Sequence, residues 1–437
     1  MLKTPGKWIP VFLILFFALS GNLLAEVAVD LFSAWKAALK YHERIFIAGE
    51  SLRRSELDIN RALSKLLPDI DVTGTYTRYT EKKASDDFIV QPEDSSNIEV
   101  RVSQPLYGGG KEWSGLRQAK MYRLSGEKGL LDVREAIVID TARAFYDFLR
   151  TQKEVKIQEE SLKRAAEHLR AAKVRFDAGS ATKADVLRSE SEQAQKFAEL
   201  AKARASSKDA EDFFRRVTGI EGPFELVEKE FKFSVEQGVD GLLETALSKR
   251  KDYQQRLIAE DIAEEGIKYA IGGFLPSLRI DGVYTRRDQT PQTTFFLDES
   301  AYAELTLSIP IFEGGLRRAE LSQAKSRLRQ AEYEKLGKKR EIDIEVRQRY
   351  NRVETALSVI AAYKKQVAFA SENYSMVYKQ YQYGLASSTD LVDADTTLVE
   401  AELNLVRSAY DYEISVLEVK RGAGVLLEEV ENLLASQ

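Results

Sequence analysis

The segment Tyr383–Thr397 reads YGLASSTDLVDADTT, with Asp390 and Asp393 three residues apart and Asp395 just behind them. On a helix, residues three apart share a face, so Asp390 and Asp393 present two carboxylates in one direction. If copies of such a face are gathered round an opening, the ring of carboxylates admits cations and repels anions. A plainer role competes with this. Ser387-Ser-Thr-Asp390 fits a capping box, with Ser387 as N-cap and Asp390 at the third helical position, where a carboxylate also suits the positive end of the helix dipole. Thr182-Lys-Ala-Asp185 repeats the pattern 205 residues earlier. Capping therefore accounts for Asp185 and Asp390. It does not account for Asp393, whose counterpart 205 residues back is Arg188. Asp395 is expected to face solvent.

Little else in the chain could do chemistry. There are two histidines, His42 and His168, and no cysteine, which removes disulfides, thiol catalysis and cysteine-held metals. Both histidines fall in helical patterns and read as surface or seam positions. No Ser-His-Asp order or paired acid–base constellation is present, so no catalytic residue, no cofactor and no enzymatic activity is expected. DADT (393–396) lacks the glycine at position six and glutamate at position twelve of a calcium loop, so no metal is expected. GGGK (108–111) has the look of a phosphate-loop fragment but lacks the GxxxxGK[ST] spacing. The net charge is −5 with both signs interspersed, which argues against a nucleic-acid partner.

The elements that must position the aspartates come in two kinds. At the start, Lys3 and Lys7 precede IPVFLILFFAL (9–19), a run too short to span a bilayer and of the form of a secretory signal peptide, assigned to residues 1–25 with cleavage after Ser20 or Ala25. No other run approaches 18 apolar residues, so no transmembrane helix is expected. The remainder repeats itself. LLPDIDVTGTYTR (66–78) returns as FLPSLRIDGVYTR (274–286), QPLYGGG (104–110) as IPIFEGG (309–315), and RFDAGSATKADVL (175–187) as QYQYGLASSTDLV (380–392). The offsets are 208, 205 and 205 residues, a register that points to two equivalent halves.

Proline is absent between Pro105 and Pro223 and after Pro310, where long helices are therefore allowed. Val346, Val353, Ile360, Val367, Tyr374 and Tyr381 recur every seven residues, as do Phe148, Val155, Leu162, Leu169 and Phe176 in the first half. On the returning segment Leu391, Leu398, Leu405, Tyr412 and Val419 repeat in the same way, with small residues, Ala394, Ala401, Ser408 and Ser415, three positions after the first four. A sustained heptad of large and small residues is a left-handed coiled-coil seam. Lys111–Phe176 as one helix would run roughly 100 Å. Gly126, Gly129 and Gly337 are candidate bends. Gly179 and Gly384 are placed to end the outgoing helices, so each half contains one long helical hairpin.

Ahead of each hairpin the period changes to two. Ile70–Thr80, Asn97–Gln104, Ser277–Arg287 and Tyr302–Ile311 alternate, with Ile98, Val100 and Val102 opposed to Glu99 and Arg101. These are the lengths of tilted membrane-spanning strands. Residues 81–96 and 288–300 read as polar loops. Gly109, Gly110, Gly314 and Gly315 mark the junction from strand to helix, where unusual backbone angles are needed. The expected division is a first repeat over 26–217 (β-hairpin about 68–105, helical hairpin about 111–217), a connector over 218–240, a second repeat over 241–421 (β-hairpin about 275–311, helical hairpin about 315–421) and a tail over 422–437. Four strands cannot close a membrane barrel alone, and an open sheet would leave its edges unpaired in lipid, so several chains must share one barrel.

On the duplicated LLPDIDVTGTYT/FLPSLRIDGVYT, the paired QPLYGGG/IPIFEGG, the two hairpin tips and above all YGLASSTDLVDADTTLVEAELNLVRSAYDYEIS, the chain resembles the TolC family of outer-membrane efflux and secretion channels. LFSAWKAALKYH (31–42) is similar to the family's first helix. The resemblance spans the mature chain. It implies a mixed α+β membrane protein: a homotrimer with four strands per chain pooled into a twelve-stranded transmembrane β-barrel in outer-membrane lipid, long antiparallel helical hairpins forming an α-barrel through the periplasm, and a belt including Val217–Leu247. It implies an exit duct for an efflux pump or type I secretion system, worked with a periplasmic adaptor and an inner-membrane pump. By the same resemblance Asp390 and Asp393 form the entrance constriction, and Gly179, Ser180, Asp185, Gly384 and Leu385 are the tips where the adaptor docks. Crowding of the acids is expected to raise their apparent pKa values as a group. Where some relatives latch the entrance with an arginine two positions after the tip glycine, this chain has Ala386, which leaves Tyr381 or Arg188 as the candidate lock. The competing reading is a periplasmic coiled-coil adaptor or structural protein, which the duplicated hairpin and the four amphipathic strands disfavour. No cargo-specific pocket is legible.

Overall fold

The computed structural model describes residues 27–85, 88–229, 237–292 and 296–435; the signal peptide assigned to 1–25 lies outside them, as does part of the 218–240 connector. In chain order, β1 (Val27–Val29), α1 (Leu31–Tyr41) and α2 (Glu43–Ser64) lead to β2 (Asp69–Arg78), a small hairpin of β3 (Lys83–Ser85) and β4 (Phe88–Gln91), and β5 (Asp94–Gly108). The helices α3 (Lys111–Asp177) and α4 (Lys183–Thr218) follow, and then β6 (Phe224–Leu226). The order then recurs as α5 (Val239–Lys249), α6 (Lys251–Gly272), β7 (Ser277–Thr290), β8 (Glu299–Ser308), α7 (Leu316–Gln382) and α8 (Ser388–Ala423), and α9 (Leu426–Ala435) closes it. The duplication is visible in length alone. The paired helices have 11, 22, 67 and 36 residues in both halves.

The sheet runs β2-β5-β7-β8, antiparallel throughout. Its register sorts the side chains by chemistry. Ile70 lies opposite Val102 and Val72 opposite Val100; Val100 lies opposite Tyr284, and Ile280 opposite Leu305. All of these share one face, since residues two apart point the same way. Asp71, Arg101, Asp281 and Glu304 are on the other, where the Glu99–Arg101 and Arg279–Asp281 ion pairs form at 2.8 and 2.9 Å. The apolar face is bare: Val72 is 69% exposed and Leu305 63%. β2 and β8 each have one neighbour, so both edges are open.

Four details differ from the sequence reading. β8 ends at Ser308, so Ile309 and Ile311 alternate beyond the strand. Pro310, which lacks a backbone N–H, cannot extend a ladder there. Asp94–Ser96 and Asp288–Thr290, expected in loops, belong to β5 and β7, because the ladder carries on past the apolar band with Asp94 paired to Thr290. Within 81–96, expected as a polar loop, β3 and β4 pair as a short hairpin. Gly126 and Gly129 both lie within α3. A Cβ on them would meet Ser55 Oγ and Gln255 Nε2 at 3.0 Å, so they let α2 and α6 approach closely.

Most heptad residues pack as the period requires, though Phe176, at the end of the first-half series, is exposed. Val346, Val353, Tyr381, Leu391, Leu398 and Val419 are buried, with Ala394, Ala401, Ser408 and Ser415 between them. The main core lies midway along the helices, where α1, α4, α8, α9 and the parallel pair β1/β6 wrap α3. Trp35 is fully buried there, and its indole N–H donates to the Val138 carbonyl at 2.9 Å. In the second half α5 plays the part of α1, placing Leu242 and Ala246 on Ile342 and Val346 of α7.

Glu135 sits beneath the start of α9. The Leu427 backbone N–H donates to its carboxyl group, yet Oε1 is buried without a partner. Burial pushes the carboxyl up from its ordinary 4.5 to about 7. Below pH 4.5 the group is neutral whether folded or not. Between 4.5 and 7 the unfolded chain ionises while the folded chain resists, so stability falls as pH rises, by about 3 kcal/mol at most. Glu135→Gln is therefore expected to raise the unfolding temperature at pH 8 and to leave it unchanged near pH 4. An equal rise at both pH values would contradict this.

Candidate functional site at the helix tips

Both hairpins turn over in the same way. After α3, Gly179 takes φ +73°, its N–H donates to Phe176 at 2.9 Å, and Ser180 N–H donates to Arg175 at 2.8 Å. After α7, Gly384 takes φ +77°, with N–H bonds from Gly384 to Tyr381 at 3.0 Å and from Leu385 to Gln380 at 2.9 Å. These are Schellman motifs, which satisfy carbonyls the helix would otherwise leave open. The return helices open with the two expected capping boxes, Thr182 with Asp185 and Ser387 with Asp390. The Asp390 N–H donates to Ser387 Oγ at 3.2 Å, and the Ser387 N–H donates back to the Asp390 carboxylate at 2.9 Å. The Ser387 hydroxyl and backbone hold the Asp390 carboxyl below the usual carboxylate range, and the Thr182 backbone and hydroxyl do the same for Asp185.

The hairpins are tied to each other at the tips. Arg175 Nη1 donates to the Tyr381 carbonyl at 2.9 Å, and its guanidinium lies 4.8 Å from the Tyr381 ring centroid. Ser388 Oγ donates to Asp185 at 2.9 Å, and Arg188 donates to Thr389 Oγ1. Arg188, notable in the sequence only as the mismatch to Asp393, thus reaches across to the partner hairpin. Sequence patterning does not single out Arg175 at all. Its acceptor is a backbone carbonyl, which leaves no trace in side-chain patterns.

Asp390 and Asp393 are both exposed on one face of α8. That face continues through Thr397, Glu400, Arg407 and Asp411, spaced by three, four or seven residues. Glu400 and Asp411 extend the acidic line, and Arg407 Nε donates to Glu154 at 2.8 Å. Heptad spacing from Asp393 is the signal that finds these, and the sequence reading did not follow it.

Asp395 does not face solvent. It is completely buried, with Arg164 Nε at 2.5 Å, Ser161 Oγ at 3.3 Å and Lys196 Nζ at 3.9 Å. Two residues on from Asp393 is about 200° round the helix, which points Asp395 into the packing. Its place four residues after Leu391, on the seam side, is the clue that the sequence offers. His168 is a buried seam residue, with Tyr374 Oη at 2.9 Å and Glu192 at 3.4 Å. His42 caps α2, its Nδ1 accepting from the Arg44 N–H at 3.3 Å.

At the other end of the long helices, Gly110 and Gly315 are the left-handed N-caps of α3 and α7, at φ +81° and +89°. Gly109 and Gly314 precede them at +71° and +60°. In the first half β5 ends immediately before Gly109. In the second, residues 309–315 separate β8 from α7. Gly109 also lies against α6, where a Cβ would fall 2.2 Å from the Gly272 carbonyl.

A sheet with one apolar and one polar face, carried on two duplicated helical hairpins with an acidic face at one tip, defines a class of membrane channel. The chain matches the outer membrane efflux protein family over residues 37–219 and 242–425 and belongs to it. It is accordingly an outer-membrane transport protein and not an enzyme. Among curated relatives, it is 24% identical to outer membrane protein TolC of Escherichia coli (strain K12) over 416 residues, covering 90% of this chain and 83% of that protein. It is 22% identical to outer membrane efflux protein BepC of Brucella suis over 380 residues, covering 87% and 82%. The alkaline protease secretion protein AprF of Pseudomonas aeruginosa is 24% identical over 374 residues, covering 84% and 76%. Of solved structures, CusC superposes with TM-score 0.81 at 17% identity over 93% of this chain and 96% of that one. The Campylobacter jejuni CmeC outer membrane channel gives 0.78 at 16%, over 93% and 89%. Both show the same fold.

The left-handed turn at Gly384 is disfavoured for any residue with a Cβ by about 1–2 kcal/mol. Gly384→Ala is expected to loosen the tip by that amount. Amide hydrogen exchange over residues 380–390 should accelerate while that of α1 is unchanged. Unaltered exchange at the tip would contradict the assignment.

Proposed function

We propose that three copies of this chain pool their sheets into one twelve-stranded transmembrane barrel and their hairpins into a tube through the periplasm. In this reading the tube is the passive exit duct of a tripartite efflux pump or a type I secretion system. The observation that carries it is the four-stranded sheet itself, with its apolar face bare and an open edge on β2 and on β8. Placing β8 of one copy beside β2 of the next pairs both edges and turns the apolar face to outer-membrane lipid. The polar face, with Arg101 and Asp281, then lines a water-filled interior. The division of the chain into repeats over 26–217 and 241–421, joined by an equatorial connector over 218–240 and ended by a tail over 422–437, belongs to the same reading. So do Gly109, Gly110, Gly314 and Gly315 as the strand-to-helix junction between barrel and tube.

The tips face away from the membrane, and we assign them two roles. Asp390 and Asp393 line the entrance, where three copies bring together six carboxylates. Crowding there opposes the lowering that Ser387 exerts on Asp390. Gly179, Ser180, Asp185, Gly384 and Leu385 form the landing surface for a periplasmic adaptor. Leu385 is 80% exposed, which supports a contact with a partner over a role in completing the helix cap. An inner-membrane pump supplies the energy. Efflux and secretion both appear among the relatives' names, BepC for efflux and AprF for protease secretion, and the duct reading accommodates either cargo.

The test is electrical. Purified protein in planar bilayers is expected to prefer cations and to be blocked by hexaamminecobalt(III) added on the side of the tips. Asp390→Ala with Asp393→Ala is expected to weaken the block by at least about tenfold, equivalent to about 1.4 kcal/mol. Equal block in the double variant would refute the entrance assignment.

A further inference from the structure

Just behind the acidic face lies a buried charged layer that the entrance reading leaves unused. Its centre is Asp395 of α8, bonded to Arg164 and Ser161 of α3 and facing Lys196 of α4 at 3.9 Å. Lys196 is buried too and faces Glu199 at 3.4 Å. The Arg164 guanidinium lies 5.6 Å from the ring centroid of Tyr374 on α7. Tyr374 Oη in turn stands 2.9 Å from His168 Nε2 of α3, whose Nδ1 is 3.4 Å from Glu192 of α4. All four helices of the two hairpins meet in this one layer.

Two features set the layer apart from an ordinary ion pair. First, Asp393 and Asp395 lie on opposite sides of α8, so the rotation that seats Asp395 on Arg164 also turns Asp393 outward. Of the ties between the tips themselves, Arg188–Thr389 is exposed and the Arg175–Tyr381 and Ser388–Asp185 bonds are only part-buried, so water reaches them and weakens the attraction. A fully buried carboxylate, by contrast, strongly resists separation from its cation. Second, the layer is incompletely satisfied. Arg164 Nη2 and Glu192 Oε2 are buried without hydrogen-bond partners. Unpaired polar atoms in a dry site are costly, so movement that admits water would relieve them. The layer therefore holds one arrangement firmly while storing a cost that the other arrangement releases.

We propose that Asp395, through Arg164, is a positioning residue for the entrance: its buried charge fixes the rotation of α8 that presents Asp390 and Asp393, and so keeps the closed state closed. This rests on the reading of Asp390 and Asp393 as the entrance. Opening then requires α8 to slide or turn against α3, with Asp395 leaving Arg164.

Single-channel recording on Asp395→Asn and Arg164→Gln trimers tests it, with Arg164→Lys as the conservative variant. Asp395→Asn and Arg164→Gln are expected to raise the open fraction about tenfold, equivalent to about 1.4 kcal/mol, and to weaken hexaamminecobalt(III) block by a similar factor. Arg164→Lys should behave as the parent, and helix content should be unchanged in all three. Where one of the neutralising variants does not assemble, the other carries the reading. Parental opening and block in the assembled variants would overturn the proposal. Failure of both to assemble would also overturn it, because the layer would then be a folding element only. A parent protein that shows no block at all would instead sink the entrance reading, and the change in open fraction would still decide the role of Asp395.

Discussion

Backbone hydrogen bonds have no substitute in hydrocarbon, and a strand edge left in lipid strands a row of donors and acceptors at several kcal/mol each. This chain folds a sheet with an apolar face and two such edges, on β2 and β8. Nothing else among the described residues covers them. The constraint reaches the rest of the molecule because the sheet leads into helices of 67 residues, across two glycines in the first half and residues 309–315 in the second. If copies of the chain close these edges on one another, as proposed, the same arrangement fixes where the long helices of each copy stand, and hence where the tips meet. The two glycines between β5 and α3 make that coupling short and steep, since left-handed backbone at Gly109 and Gly110 redirects the chain within two residues.

The duplication supplies symmetry of shape, but the halves divide the chemistry. At and near the tips the first hairpin contributes cations, Arg164, Arg175, Arg188 and Lys196. The second contributes the groups that receive or face them, the Tyr381 carbonyl, Thr389 and Asp395; the Ser388 hydroxyl, donating to Asp185 of the first hairpin, runs the other way. Asp393 stands where the first half has Arg188, and the two are used differently. Arg188 bridges to Thr389, while Asp393 keeps its place on the outward face of α8. Midway along the helices, both halves use apolar packing in the same manner, with α1 and α5 set on α3 and α7. The halves therefore agree where they hold the hairpins together and differ where they present charge.

What could be read in advance follows from the range over which each signal acts. Heptads, two-residue alternation, tip glycines and capping boxes are local, so the hairpins, the sheet and both tip caps were legible. Register between strands was not, although once known it sorts Ile70, Val100, Tyr284 and Leu305 onto one face, with Val283 and Tyr302 as apolar exceptions on the other. The alternation also ran too far, through Ile309 and Ile311, because pattern alone does not register that Pro310 has no N–H to donate. Asp395 was misplaced for a different reason. A lone aspartate argues for solvent unless its cation is known, and Arg164 is 231 residues away in sequence. The Arg175 link was invisible because its acceptor is a main-chain carbonyl.

The shared-barrel account is tested most directly at the edges it requires to meet. The chain has no cysteine, so single cysteines placed along β2 and along β8 of the same chain can pair only by design. If β8 of one copy lies beside β2 of the next, a scan of such pairs in cells should give, for the matched register, a covalent trimer on a non-reducing gel that reverts to monomer on reduction. Absence of any cross-linked species across the scan, or a ladder that stops at dimers, would contradict the account.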